Sequence, residues 1–180
     1  MKKLLLAVAL FAVTVPAMAV TPVKLSLWDG IAVPSDRTVH GLELGIGGNN
    51  AETKGIQFDL IWAKSQTMVG WQGGWIISQA GDFTGLQTSL LNMVDDGAGV
   101  EFGFVNYTGS FTGIQFAAVN WVDSVKGVQL GFANYAENMT GLQLGFVNYA
   151  RTIGQGVQLG FLNIAENGFL PIMVFVNGRF

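Results

Sequence analysis

The chain has 180 residues, of which 50% are hydrophobic and 12% charged, with 12 acidic side chains against 9 Lys and Arg. A nucleic-acid partner is not expected, because the sequence offers no basic patch to neutralise phosphates. Cysteine is absent, which excludes disulfide bonds, thiolate metal sites and a thiol nucleophile.

The segment at residues 1–19 has the pattern of a secretory signal peptide. Lys2 and Lys3 precede an apolar region at residues 4–15, and residues 17–19 form an A-x-A cleavage site. The alternative, a transmembrane anchor, is disfavoured because the apolar run is too short to cross a bilayer. We therefore expect an exported protein whose residues 20–180 form a single domain with seven basic and twelve acidic side chains.

After a cap-like segment at residues 20–40, one phrase recurs nine times between residues 41 and 165 at a nearly constant interval. It is clearest as GLQLGFVNYA, residues 141–150. The copies open at Gly41, Gly55, Gly70, Gly85, Gly99, Gly113, Gly127, Gly141 and Gly156. A fixed period, here about 14–15 residues, predicts a repeat architecture in which each unit buries its apolar side chains against its neighbours.

We number the opening glycine of each repeat zero. Position two is a long polar residue in all nine copies: Glu43, Gln57, Gln72, Gln87, Glu101, Gln115, Gln129, Gln143 and Gln158. This polar register is the one candidate functional feature, lining a lumen in a barrel or forming an exposed polar stripe in a solenoid. The alternative is that glutamine only satisfies hydrogen bonds in a narrow, glycine-lined interior.

Positions one, three and five are mostly large and apolar, as in Leu142, Leu144 and Phe146. This period-two alternation over about eight residues predicts β-strands, and so an all-β fold of strand–turn repeats. Position eight is aromatic in several copies, as in Trp121 and Tyr135. Both faces of such a strand need shelter from water.

One architecture that supplies this shelter is an antiparallel outer-membrane β-barrel of about 10–12 strands. Positions one, three and five would face lipid, and the position-eight aromatics would lie near the membrane interfaces. The segment at residues 169–180 reads as a last strand, and its terminal Phe180 resembles the assembly signal of outer-membrane barrels, although an ordinary edge strand is the alternative. We expect this barrel, with outer-membrane lipid as its partner.

The alternative architecture is a parallel β-solenoid in which each repeat makes one coil. The asparagines of position seven would then form a ladder: Asn92, Asn106, Asn120, Asn134, Asn148 and Asn163. A recurrent apolar residue shortly before the next glycine, as at Phe83, Phe111, Val125 and Met139, also favours a solenoid. A solenoid requires each strand to bend, which we expect at the small residue of position four.

These tandem motifs, together with VKLSLW at residues 23–28 and the C-terminal strand, resemble a family of bacterial exported repeat proteins built on G-[LV]-Q-[LI]-G-[FL]-[VI]-N. The resemblance implies an envelope or surface protein. Some similar proteins are called polyhydroxyalkanoate synthases. That activity would need an α/β-hydrolase pattern and a cysteine nucleophile, and this sequence has neither.

No catalytic, metal-binding or cofactor-binding site is expected. His40 is the sole histidine, and no G-x-S-x-G elbow accompanies it. Asp95 and Asp96 precede a glycine but lack the spacing of a calcium loop. We therefore expect a non-enzymatic envelope protein with a structural or weak pore role, or alternatively a secreted solenoid that binds a partner or ligand along one repeat face.

Overall fold

The computed structural model describes residues 20–180, so the predicted signal peptide lies outside the described residues. Five strands form one sheet in the order β2-β1-β3-β4-β5. They are β1 (Thr21–Trp28), β2 (Ile31–Val33), β3 (Thr38–Gly74), β4 (Ile77–Ala165) and β5 (Ile172–Arg179). Within residues 20–180, no helix has the length and apolarity needed to cross a membrane.

The long strands β3 and β4 wind through successive coils, and neighbouring coils pair in parallel. Gly70 pairs with Gly85 and Gln72 with Gln87, so that equivalent residues of consecutive repeats are adjacent. One repeat is therefore one coil, and the protein is a β-solenoid. The prediction of an antiparallel barrel was wrong, and the alternative prediction of a parallel solenoid is confirmed.

The coil closes because the in–out alternation of side chains changes phase twice in each repeat. In the repeat that opens at Gly141, Gln143 points inward and Phe146 outward, as simple alternation requires. Position six is also partly exposed, and the next inward side chain is Asn148 at position seven. A second shift follows Ala150, where Arg151 and Thr152 are both exposed. The expectation of one straight strand in each repeat, on which the barrel depended, fails at these two corners.

The opening glycine marks a third special point of the coil. In the first eight repeats it has a positive φ, for example +141° at Gly113 and +145° at Gly127. A Cβ at Gly127 would overlap the carbonyl oxygen of Gly113 in the coil before it. Glycine is required here both for its backbone conformation and for the close approach of successive coils.

The interior is divided between apolar and polar side chains. The apolar part contains the residue two places before the opening glycine in several repeats: Phe83, Phe111, Val125 and Met139 are all at most 4% exposed. Small residues such as Ala150 pack beside them. This confirms the expectation that a hydrophobic residue at that place belongs to the core of a solenoid.

Both ends of the stack are covered by non-repeat strands. At the N-terminal end, β1 pairs in parallel with β3 and antiparallel with the short β2. At the C-terminal end, β5 pairs antiparallel with the last coil, joining Gln158 to Asn177 and Gly160 to Phe175. The predicted C-terminal strand is thus present, as the terminal strand of a solenoid.

Candidate binding face

The nine position-two side chains are all inside the solenoid, each with no exposed surface. The expectation that they would form an exposed polar stripe in a solenoid was wrong. Hydrogen bonds from one side-chain amide to the next explain their burial: Gln129 Nε2 donates to Gln115 Oε1 at 2.9 Å, and Gln143 Nε2 donates to Gln129 Oε1 at 2.8 Å. Parallel stacking thus lets the polar groups satisfy one another without water.

The asparagines of position seven form a second ladder, as the solenoid alternative predicted. Asn120 Nδ2 donates to Asn134 Oδ1 at 2.8 Å, and Asn134 Nδ2 donates to Asn148 Oδ1 at 2.8 Å. Each amide thus donates toward the C-terminal end, whereas the glutamines donate toward the N-terminal end. The position-four residue is small because the backbone of the preceding coil and the asparagine amides occupy the space beside it: a Cβ at Gly131 would overlap the carbonyl oxygen of Ala117 and lie 2.9 Å from Asn120 Nδ2.

The ladder of position two is interrupted at Glu101. Gln115 Nε2 and the Thr108 hydroxyl both donate to its carboxyl group, at 2.6 Å and 2.9 Å. Burial raises the pKa of Glu101 to about 7, against the lowering effect of these hydrogen bonds. On the other side, the side-chain carbonyl of Gln87 is buried without a hydrogen-bond donor. The sequence signal for this site is the glutamate at position 101, where most copies have glutamine.

A second polar cluster closes the N-terminal end of the interior. Lys24 is 2% exposed and donates from Nζ to Asn50 Oδ1 at 2.6 Å, with Glu43 Oε1 3.8 Å away. Burial, followed by the negative charge of Glu43, raises the pKa of the nearby Asp59 to about 7. Both carboxyl groups are enclosed, since Glu43 and Asp59 have no exposed surface.

The other candidates from the sequence lie apart from one another. His40 Nε2 contacts Glu52 Oε1, and Lys54 Nζ lies 3.0 Å from the same oxygen. The hydrogen bond from His40 is the main cause that lowers the pKa of Glu52. Asp95 and Asp96 are exposed. Within residues 20–180, no three His, Asp or Glu side chains are grouped so that they could hold a metal ion.

The main feature of the exterior is an apolar face made by positions one, three and five of all nine repeats. Apart from Gly73 and Thr88 every member is apolar, and none is charged. The members are Leu42, Leu44, Ile46, Ile56, Phe58, Leu60, Trp71, Gly73, Trp75, Leu86, Thr88, Leu90, Val100, Phe102, Phe104, Ile114, Phe116, Ala118, Val128, Leu130, Phe132, Leu142, Leu144, Phe146, Val157, Leu159 and Phe161. Phe104 and Phe132 are each 63% exposed.

Phenylalanines of the apolar face stack along the solenoid axis. The rings of Phe132, Phe146 and Phe161 follow one another at 5.1 and 5.0 Å, with interplanar angles of 8° and 7°. Phe102 and Phe116 stack in the same way at 5.1 Å. Because each ring covers the flat side of its neighbour, the stacks present ring edges to the exterior.

The two other sides of the coil differ from the apolar face. The second side carries a stack of Trp121, Tyr135 and Tyr149, with ring centroids 4.1 and 5.0 Å apart. The third side, before each opening glycine, carries exposed charged residues such as Asp123 and Lys126. The solenoid therefore has a water-compatible side and an apolar side along its whole repeat region.

No family model, no curated protein and no solved structure matches this chain. Its function must therefore be inferred from the geometry of its own residues.

Proposed function

We propose that this protein is an exported, non-enzymatic β-solenoid that binds a partner along its apolar face. The observation that carries the proposal is the unbroken absence of charge from positions one, three and five through nine repeats. A monomeric soluble protein seldom exposes a continuous apolar patch larger than about 300–600 Å². Nine coils about 4.8 Å apart, each offering about five residues of ~3.3 Å, give a face of roughly 700 Å².

Export to the bacterial envelope is part of the proposal. It rests on the signal-like pattern of residues 1–19 and on the resemblance of the repeats to exported surface proteins. A non-enzymatic role is supported by the position of the ionisable groups. Glu43, Asp59 and Glu101 are enclosed in the interior, and His40 is engaged with Glu52.

A second candidate is peripheral binding to outer-membrane lipid through the same face. The stack of Trp121, Tyr135 and Tyr149 beside the apolar face favours it, because amphipathic aromatic side chains are enriched at membrane–water interfaces. Parallel coil pairing would satisfy the backbone of a face in contact with lipid, as that environment requires.

Thiol labelling in intact envelopes tests whether the apolar face is covered. The chain has no cysteine, so a single introduced thiol reports on one position. Leu144→Cys places a thiol on the apolar face, and Thr140→Cys places the matched control on the charged side; both native residues are exposed. We expect a maleimide to label Thr140→Cys at once, and Leu144→Cys only after denaturation. Equal labelling of the two variants in native envelopes would overturn the proposal.

A further inference from the structure

We propose that the partner on the apolar face is a second copy of this chain, packed face to face. This inference rests on the proposed function, since it names the occupant of the same face. A stable protein–protein interface buries about 800 Å² on each partner, close to the roughly 700 Å² that nine coils offer. A second solenoid of equal length would cover the face from end to end.

The shape of the apolar face is complementary to the same face of a second copy. Stacked phenylalanines at positions three and five form columns that run along the axis, with successive rings 5.0–5.1 Å apart within a column. A second copy carries the same columns, so the columns of one copy can lie in the grooves between the columns of the other. Dry interfaces between paired sheets, about 10 Å apart, use this interdigitation of identical side chains.

The stacking of the phenylalanines disfavours a carbohydrate as the partner of the C-terminal repeats. Sugar rings pack against the flat sides of aromatic rings, so a sugar-binding face needs flat sides that are accessible. Here the flat sides of Phe146 are covered by Phe132 and Phe161. In this stack only ring edges remain, and these suit contacts with apolar side chains.

The distribution of charge favours a second copy over an anionic lipid surface. Residues 20–180 carry twelve acidic and seven basic side chains, and a polybasic cluster, which an anionic leaflet attracts, is absent from the face. In a face-to-face dimer the uncharged faces meet, while the charged third sides point away from each other. The contact uses the same surface on both copies, so it closes as a dimer.

Sedimentation velocity on the purified protein without detergent, over a range of concentrations, tests this inference. We expect twice the mass of one chain for the native sequence. Phe116→Glu combined with Phe146→Glu puts two charges on the face and should give a monomer. The matched control, Thr112→Glu with Thr140→Glu, adds the same charge on the opposite side and should remain dimeric. Circular dichroism establishes that each variant is folded, and Phe132→Gln alone, which should weaken dimerisation at least tenfold, replaces the double variant if that one does not fold.

A native protein that is monomeric at every concentration, or a folded face variant that remains fully dimeric, would overturn the inference. Flotation with vesicles of phosphatidylethanolamine and phosphatidylglycerol separates this failure from failure of the proposed function. Monomers that float with vesicles through an intact face, but not with the face variant, would leave the proposed function standing with lipid as the partner. Monomers that neither float nor show protection of Leu144→Cys in envelopes would overturn both.

Discussion

Gln87 and Glu101 occupy successive places in the position-two ladder, but no amide-to-carbonyl hydrogen bond joins them. On the N-terminal side of this interruption, Gln87 Nε2 donates a hydrogen bond to Gln72 Oε1 at 2.8 Å. On the C-terminal side, Gln115 Nε2 donates to Glu101 Oε2 at 2.6 Å. The side-chain carbonyl of Gln87 therefore lacks a donor. A protonated Glu101 carries an O–H that can donate in this direction, whereas an ionised Glu101 accepts only.

Replacing Glu101 by glutamine should stabilise the protein above neutral pH. The folded-state pKa of about 7 is above the ordinary value of 4.5, so the folded protein retains a proton that the unfolded chain has lost. The contribution of Glu101 to stability is thus complete below pH 4.5 and is lost as the pH rises to 7. We expect Glu101→Gln to raise the free energy of unfolding at pH 8 by up to roughly 3 kcal/mol.

Denaturant titration of both proteins at pH 4.5 and pH 8 measures this effect. The gain should be confined to the higher pH, because the neutral carboxyl group and the amide are similar in size and bonding. Asp59 contributes a pH dependence to both proteins and cancels in the comparison. A Glu101→Gln gain that is equal at the two pH values would contradict a neutral Glu101 in the ladder.

Removing one asparagine from the middle of its ladder should be costly. Asn120 accepts from Asn106 at 2.9 Å and donates to Asn134 at 2.8 Å. Asn120→Ala removes the acceptor of Asn106 Nδ2 and the donor to Asn134 Oδ1, both buried, for which we expect a loss of about 3 kcal/mol in unfolding free energy. Asn138→Ala, at an exposed position of the next repeat, is the control and should change stability by less than ~0.5 kcal/mol. Thermal melts that show equal stability for the two variants would argue against a stabilising role of the buried ladder.

The opening glycines should not tolerate a side chain. At Gly113, with φ of +141°, a Cβ would overlap the carbonyl oxygen of Gly99. Gly113→Ala should therefore lower the unfolding free energy by about 3 kcal/mol, through backbone strain and separation of the coils.

Gly154 provides the matched control for this substitution. A Cβ there would lie 3.0 Å from Thr140 Oγ1, which belongs to an exposed side chain that can rotate. Chemical denaturation should place Gly154→Ala within ~1 kcal/mol of the native protein. Equal stability of Gly113→Ala and Gly154→Ala would contradict the close approach of Gly113 to the carbonyl oxygen of Gly99.

The sequence predicted the repeat unit and much of the interior, but not the direction of strand pairing. The period of the repeats set the length of one coil, and Asn120 and Met139 were placed correctly by the solenoid alternative. The barrel was preferred because the terminal Phe180 and the apolar character of both strand faces indicated a membrane, and it required the alternation to continue across position six, where the structure has a corner. Alternation alone does not show where a strand bends, since two adjacent outward residues such as Phe146 and Val147 are both apolar.

The candidate site was harder to predict for a related reason. The long polar residues at position two left three interpretations open, namely a lumen lining, an exposed stripe and hydrogen bonding in a narrow interior, because isolated glutamines are usually exposed. Their burial depends on stacking against identical residues of neighbouring coils, which only the parallel arrangement provides. The apolar residues at positions one, three and five were recognised, and they do lie outside. Whether water, lipid or protein covers them is not encoded in the pattern of a single repeat.

The parallel stacking of successive repeats places the two ladders inside the solenoid and the apolar face outside. Disulfide trapping tests this parallel stacking most directly. Lys126 and Thr140 are exposed, and each immediately precedes the opening glycine of one of two consecutive repeats. In a parallel stack their Cα atoms are about 4.8 Å apart, within the range of a disulfide bond. We expect the protein with Lys126→Cys and Thr140→Cys to oxidise to one intramolecular disulfide, and the protein with Lys126→Cys and Asn138→Cys, which is out of register, to remain reduced. Failure of the aligned pair to oxidise, or equal oxidation of the offset pair, would contradict the solenoid.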